Sequence, residues 1–235
     1  MPDTEKEEAL VQLAGSVAHE LNNIFTAVAG NLSLLEANLD EGSQNASLVG
    51  DVLRTAHRGI ELSQKLQAFA GRQKLNRSHF DLNHSVAEVT VRLKPTTLRD
   101  IEVELALLPA SCLIAADPEK FQQAVVELIE NAAIAMDYRG WIIITTCQLV
   151  LKSGQIGRLP AGHYVRLSVR DSGAGMSPDV VRRALDPVFS TRNGHQGWGL
   201  AKCAGFVRQC GGEIMLSSIP SQGSAADVYL PRKSL

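Results

Sequence analysis

Four short strings in the second half of the chain carry residue types suited to phosphate and nucleobase chemistry. In VELIENAAIAM, Glu127 and Asn131 stand four apart and share a face if the segment is helical. An Asn there can offer Mg²⁺ a neutral oxygen, and Mg²⁺ is otherwise held largely through nucleotide phosphates. DSGAGM sets Asp171 at the end of a predicted strand, with Gly173 and Gly175 just after it. A carboxylate at that point can accept a hydrogen bond from an exocyclic amine such as that of adenine, and glycines let backbone approach a base closely. DPVFSTR (Asp186–Arg192) and GHQGWGLA (Gly194–Ala201) follow. In the latter, Gly197 and Gly199 precede a helix and leave free N–H groups at the positive end of its dipole, an arrangement that suits phosphate. Neither a Walker A string nor a Gly-x-Gly-x-x-Gly following a strand is present. Each string alone reads as a turn or a helix surface. Their occurrence in one order within about 75 residues is what makes the signal specific.

A second chemistry is written near the start. His19 lies two positions past Val17, about 200° around a helix, and so points away from an apolar stripe through Val17. Gly15, Asn23 and Thr26 fall on its side, and Glu20 is its neighbour. An exposed imidazole with an acidic neighbour is a workable phosphoryl acceptor, because the carboxylate can hold one ring proton and leave the other nitrogen nucleophilic. A zinc-protease helix is excluded, since His-Glu-x-x-His requires histidine where Asn23 stands.

The elements that position these residues divide the chain in two. Leu10, Ala14, Val17, Leu21, Ile24, Val28, Leu32 and Leu35 step by three and four, as do Leu48, Val52, Thr55, Gly59, Leu62, Leu66 and Phe69. LDEGSQN (Leu39–Asn45) is the turn between them, and Gly59 permits close helix approach. Two helices cannot bury wide apolar stripes alone, so a homodimer forming a four-helix bundle is expected. Gly71–His79 reads as a polar linker. After it, helices are predicted over Ser85–Leu93, capped by Asp81 or Asn83, and from Pro118 to Met136, capped by Asp117. Two more are predicted around Pro178–Leu185 and Leu200–Gln209. Strands are predicted over Ile101–Leu108, Ser111–Asp117, Trp141–Leu151, His163–Asp171, Gly212–Ile219 and Ala225–Pro231. The expected class is an all-α hairpin followed by a two-layer α+β sandwich, mostly antiparallel, with domains at 1–75 and 76–235.

Composition sets the limits. The 235 residues are 45% hydrophobic and 20% charged, with a net charge of −2, which argues against disorder and against a nucleic-acid-coating or anionic-membrane-binding protein. No apolar run reaches the ~18–20 residues of a bilayer span, and the acidic N-terminus is unlike a signal peptide. Cys112, Cys147, Cys203 and Cys210 form no Cys-x-x-Cys pair, so inert thiols in a reducing, cytoplasmic setting are expected.

The ordered set resembles the transmitter core of sensor histidine kinases, from about residue 10 to 231. Val17–Leu35 resembles the family's H-box with His19 at the phosphoacceptor position. Glu127–Ala135 resembles the N-box, DSGAGM the first glycine box, DPVFSTR the F-box and GWGLA the second glycine box, and Gly211–Pro231 resembles the closing hairpin. The resemblance implies a dimerisation and phosphotransfer hairpin joined to an ATP-binding domain of the histidine kinase/gyrase/Hsp90 fold. It implies autophosphorylation of His19 from Mg·ATP and transfer to an aspartate on a response-regulator receiver domain. Glu20 is then the acid/base partner, and Asn23 the position that in some members orients water for dephosphorylating the regulator. Asn131 holds Mg²⁺, Asp171 the adenine, and Gly173, Gly175, Gly197 and Gly199 shape pocket and lid, with Phe189, Thr191, Arg192 and Leu200 from the same boxes. Three departures stand out. Glu127 replaces a frequent Asn, and related ATPases carry Glu there as a water-activating base. His195, Gln196 and Trp198 replace smaller lid residues. No sensor module precedes residue 10 and no receiver domain follows residue 231, which implies a separate or removed sensor. Two other readings stay open at this level: a phosphotransfer or phosphatase module with a degenerate nucleotide domain, and an ATPase of the same fold.

Overall fold

The computed structural model describes residues 2–39, 43–71, 73–191 and 197–233, with side chains from residue 11 onward. The chain divides into two compact units, Met1–Gln73 and Lys74–Leu235. Among the described residues no helix is long and apolar enough to cross a membrane.

The first unit is a helical hairpin of α1 (Pro2–Glu36) and α2 (Gln44–Phe69). Ser43 caps α2, its side chain accepting from the Ala46 N–H at 3.1 Å; residues 40–42 of the predicted turn lie outside the described residues. The seam between the helices is built from small residues. Gly15, Ala18 and Ala29 of α1 and Ala56, Ser63 and Ala68 of α2 are buried, and the Gln67 side-chain amide donates to the Ala18 carbonyl at 3.2 Å. The predicted apolar stripe is not this seam. Val17 (42%), Leu21 (37%), Ile24 (57%), Val28 (39%) and Leu35 (49%) remain exposed, on a face about 120° around α1 from Gly15, Ala18 and Ala29. Small residues let the two backbones approach, and the larger side chains are left facing outward. Gly15, expected beside His19, belongs to the seam.

Gly59 does what its lack of a side chain suggests. A Cβ there would stand 2.7 Å from three ring atoms of Phe25. Gly59→Leu is expected to lower the unfolding free energy by about 1–3 kcal/mol through overpacking, read as a lower denaturant midpoint followed by helical circular dichroism. An unchanged midpoint would mean that the Phe25 ring leaves its slot without cost.

The second unit comprises β1 (Ser78–Asp81), α3 (Leu82–Leu93), β2 (Ile101–Ala106), β3 (Leu113–Ala116), α4 (Pro118–Ala135), β4 (Gly140–Leu151), β5 (Gly162–Asp171), α5 (Pro178–Arg183), α6 (Gly199–Gln209), β6 (Glu213–Ser218) and β7 (Ser224–Pro231). The main sheet runs β2-β4-β5-β7-β6. Only β2–β4 is parallel, its crossover supplied by β3 and α4. Alternate residues of the β-branched strands, among them Ile142, Ile144, Val165, Leu167, Val169 and Val228, form one buried core with Val86, Val89, Phe121, Val125, Ile129, Phe206 and Val207 of the helices. This is the expected two-layer sandwich.

Three boundaries differ from expectation. Gly71–His79 is not all linker: the Asn76 N–H donates to Asp117 Oδ2 at 2.7 Å, Arg77 donates to the Gln209 carbonyl, and Ser78–Asp81 pairs antiparallel with β3. Backbone pairing with β3 needs no apolar pattern on β1, so a polar string forms a strand. Arg72 lies outside the described residues. Helix α3 begins at Leu82 because Asp81, not Asn83, caps it, accepting from the Asn83 N–H at 2.9 Å. Strand β2 ends at Ala106, since the Leu108 N–H is taken by the Thr146 hydroxyl at 2.9 Å.

All four cysteines are free thiols. Burial pushes Cys203 up to about 12 and Cys210 up to about 11, so both stay protonated and unreactive near neutral pH.

Candidate functional site

In the helical unit, His19, Glu20 and Asn23 are all exposed on α1. His19 and Asn23 are one turn apart, on a face roughly 160° from the exposed apolar stripe. The imidazole is open to solvent and to a partner on the side that the large apolar residues leave clear.

In the second unit, Asp171 is the last residue of β5 and is 5% exposed. Its Oδ1 accepts from the Gly173 N–H at 2.8 Å and the Ser224 N–H at 3.2 Å. These bonds fix the carboxylate at the head of its loop. The loop itself is gripped from two sides. At Gly173 a Cβ would lie 2.6 Å from the Ala135 carbonyl oxygen, and the neighbouring Ala174 N–H donates to that same oxygen at 3.0 Å. Gly175 has φ +66°, and a Cβ there would lie 2.1 Å from the Ile219 carbonyl oxygen. Both glycines are therefore demanded by approach to protein backbone, from the end of α4 on one side and from the β6–β7 turn on the other.

The turn that closes on this loop escaped the sequence reading. Ser218, at the end of β6, accepts from the Met176 N–H at 2.7 Å and donates to the Gly223 carbonyl at 2.9 Å; the Ser221 N–H donates to the Ala174 carbonyl at 2.7 Å. Forty-two residues separate Ser218 from Met176, so no local spacing announces the bond. Ser218→Ala strips the Met176 N–H of its acceptor. It is expected to cost about 1–3 kcal/mol of unfolding free energy, measured by chemical denaturation with Ser218→Thr as the restoring control.

Glu127 and Asn131 share a face of α4 as expected. The Asn131 amide Nδ2 donates to the Glu127 carbonyl at 2.7 Å, which leaves its side-chain oxygen as the acceptor. Helix α6 begins opposite. A Cβ on Gly199 would stand 2.4 Å from Glu127 Oε2 and 3.4 Å from Asn131 Nδ2, so a glycine is what admits the carboxylate. Lys202 of α6 pairs with Glu127, Nζ to Oε1 at 2.5 Å; the sequence reading had not connected these two. Burial and then the Glu127 charge push the Glu130 carboxyl up, with Lys202 opposing.

Gly197 has φ +66°, and a Cβ there would meet the Phe189 carbonyl oxygen at 2.4 Å. The half-buried Phe189 ring carries the Arg183 guanidinium 4.3 Å from its centroid. Thr191 is exposed. Trp198 is buried, at 8% exposure, and places no side-chain cap on α6. Leu200 packs against the hydrophobic core. Arg192, His195 and Gln196 lie outside the described residues. Among the described residues no three His, Cys, Asp or Glu side chains cluster as a metal site.

Residues 116–234 match the family described as histidine kinase-, DNA gyrase B-, and HSP90-like ATPase. The sensor kinase CckA of Brucella abortus is 30% identical over 99% of this chain and 25% of its own length. The sensor histidine kinase ZraS of Klebsiella oxytoca is 31% identical over 97% of this chain and 47% of its own length. The chain thus spans half or less of these relatives. The crystal structure of full-length ShkA in complex with AMPPNP superposes with a TM-score of 0.59 at 22% identity, covering 95% of this chain and 46% of that one. The fold is that of these kinases.

Proposed function

Because the chain belongs to the histidine kinase-, DNA gyrase B- and HSP90-like ATPase family, we propose that it is an ATP-dependent protein histidine kinase that phosphorylates its own His19 and passes the phosphoryl group to an aspartate of a response-regulator receiver domain. One observation carries the reading: the alignments with sensor kinases run through both units. The exposed His19 hairpin and the glycine-gripped Asp171 loop therefore occur together, as a phosphoacceptor and a nucleotide site must. A bare ATPase leaves the hairpin without a purpose. A degenerate phosphotransfer module leaves unexplained a buried Asp171 that is still held by two N–H groups.

The residues present fit Mg·ATP. Asp171 offers a fixed carboxylate to the adenine amine, and the side-chain oxygen of Asn131 is oriented by its own amide's bond to the Glu127 carbonyl. The start of α6, with glycine at 197 and 199 and no side-chain cap, presents N–H groups to phosphate. Mg²⁺, held by Asn131 and the phosphates, would supply charge neutralisation. Glu20 holds one imidazole proton of His19. The other ring nitrogen attacks the terminal phosphorus in line, the N–P bond forming as the bond to the ADP oxygen breaks. Asn23, one turn on, is placed to orient water against a phosphorylated regulator.

The exposed stripe Val17–Leu35 on α1, with Leu48, Val52 and Leu62 exposed on α2, is the surface on which a second copy completes a four-helix bundle. Incubation with γ-labelled ATP and Mg²⁺ is the test. Acid-labile, base-stable label on the protein is expected, and acid-stable label or none overturns the proposal.

A further inference from the structure

The contact that no motif announces is the pair between Lys202 and Glu127. Lys202 stands three residues after Gly199, so on α6 it shares the face of the helix's first residue and leans toward the N-terminus. There its ammonium meets Glu127 Oε1 at 2.5 Å, with the two side chains 36% and 28% exposed. The other carboxylate oxygen, Oε2, lies against Gly199, beside the Asn131 amide. The carboxylate is thus at the mouth of the segment assigned to the phosphates. Its charge is felt around it: after burial it is the next cause raising Glu130 and Cys203, and Lys202 opposes it in both.

A carboxylate beside a terminal phosphoryl group is chemically able to spend ATP on water. The water oxygen bonds to the γ-phosphorus, the bond from that phosphorus to the ADP oxygen breaks, and the proton goes to the carboxylate, yielding ADP and orthophosphate. A protein that must deliver the phosphoryl group to an imidazole loses its donor by that route. An ammonium hydrogen-bonded to one carboxylate oxygen engages that oxygen and fixes the carboxylate's orientation, so that oxygen is not free to take a proton from water. We propose that Lys202 is a positioning residue that holds Glu127 in this ion pair and so keeps it from activating water, directing the phosphoryl group to the protein acceptor. The inference rests on the kinase reading above and deepens it, since it explains how a site with a carboxylate at this position avoids being a hydrolase.

The test measures orthophosphate release and phosphohistidine separately, on the full chain with Mg·ATP. Lys202→Met is expected to raise orthophosphate release about tenfold or more, and adding Glu127→Gln to that variant is expected to abolish the rise. Lys202→Arg, which keeps the charge, restores low release. Lys202→Gln, which is shorter, polar and equally uncharged, is run beside Met and is expected to raise release as well. Unchanged release in both neutral variants, or a rise that persists with Glu127→Gln, overturns the proposal. Failure of the kinase reading shows differently, as absence of phosphohistidine in the wild type whatever the orthophosphate does.

Discussion

Replacing His19 by alanine is expected to abolish phosphohistidine completely while leaving nucleotide affinity within about twofold and stability within about 0.5 kcal/mol. The size of the effect follows from position. His19 is exposed on α1 and lies off the small-residue seam that joins the two helices. Alanine is also the better helix former, so neither packing nor propensity is lost. What is lost is the atom proposed to form the N–P bond; the neighbours described on that face, Asn23 and Thr26 at four and seven residues on, offer an amide and a hydroxyl that donates to the Asn22 carbonyl at 2.7 Å, neither an imidazole. Glu20→Gln removes the carboxylate proposed to hold the imidazole proton but keeps the nucleophile. Its labelling rate is expected to fall by about 10²-fold rather than to zero. Filter-bound counts after base treatment, with calorimetric nucleotide binding on the same preparations, separate the two. Base-stable label of wild-type size on His19→Ala would place the acceptor elsewhere.

The elements that carry this chemistry were legible because their signals are local. Asp117 before Pro118 marks the start of α4, and its side chain accepts from the Lys120 N–H at 3.1 Å. The β-branched run from Trp141 to Leu151 matches β4 almost residue for residue. The glycines at 173 and 175 signal close approach to a base and those at 197 and 199 free N–H groups for phosphate, whereas in the structure all four sites lie against other protein atoms. What the glycines approach was not legible. Gly173 and Gly175 meet Ala135 and Ile219, residues far from them in the chain, and only the folded sheet brings these together.

The misses share one cause, which is pairing over long separations. Strand β1 has no period-2 pattern of its own and exists because β3 offers it a backbone edge. The large apolar residues of α1 dominate the periodicity and announce the face expected to be buried in a four-helix bundle, not the seam within the hairpin. The hairpin seam uses Gly15, Ala18 and Ala29, which a hydrophobicity count barely registers. Lys202 and Glu127 lie seventy-five residues apart, and nothing in either local string suggests the other. The strings point to a nucleotide site only as a proposal, and the charge balance of the Lys202–Glu127 pair emerges only from the packing of α6 on α4.

That balance makes Asp171→Asn the sharpest probe of the nucleotide site. The substitution keeps a side-chain oxygen for the Gly173 and Ser224 N–H groups, so the loop keeps its anchor and the fold its stability. Two things change at the ligand's side: the charge disappears, and an acceptor facing the base becomes able to donate. A charge-assisted hydrogen bond contributes about 1.5–3 kcal/mol, which corresponds to a loss of roughly 10- to 150-fold in ATP affinity. The base preference is expected to shift in the same experiment. A carboxylate welcomes the 6-amino group of adenine and repels the 6-oxo group of inosine or guanine, whereas an amide can donate to that oxygen. Calorimetry with ATP and inosine triphosphate on wild type and variant reads both outcomes. Asp171→Ala serves as the contrast, because it leaves two N–H groups without their acceptor, and its loss of binding is expected to come with a lower denaturation midpoint. Equal ATP affinity in wild type and Asp171→Asn, with the preference over inosine triphosphate unchanged, would remove Asp171 from the base site.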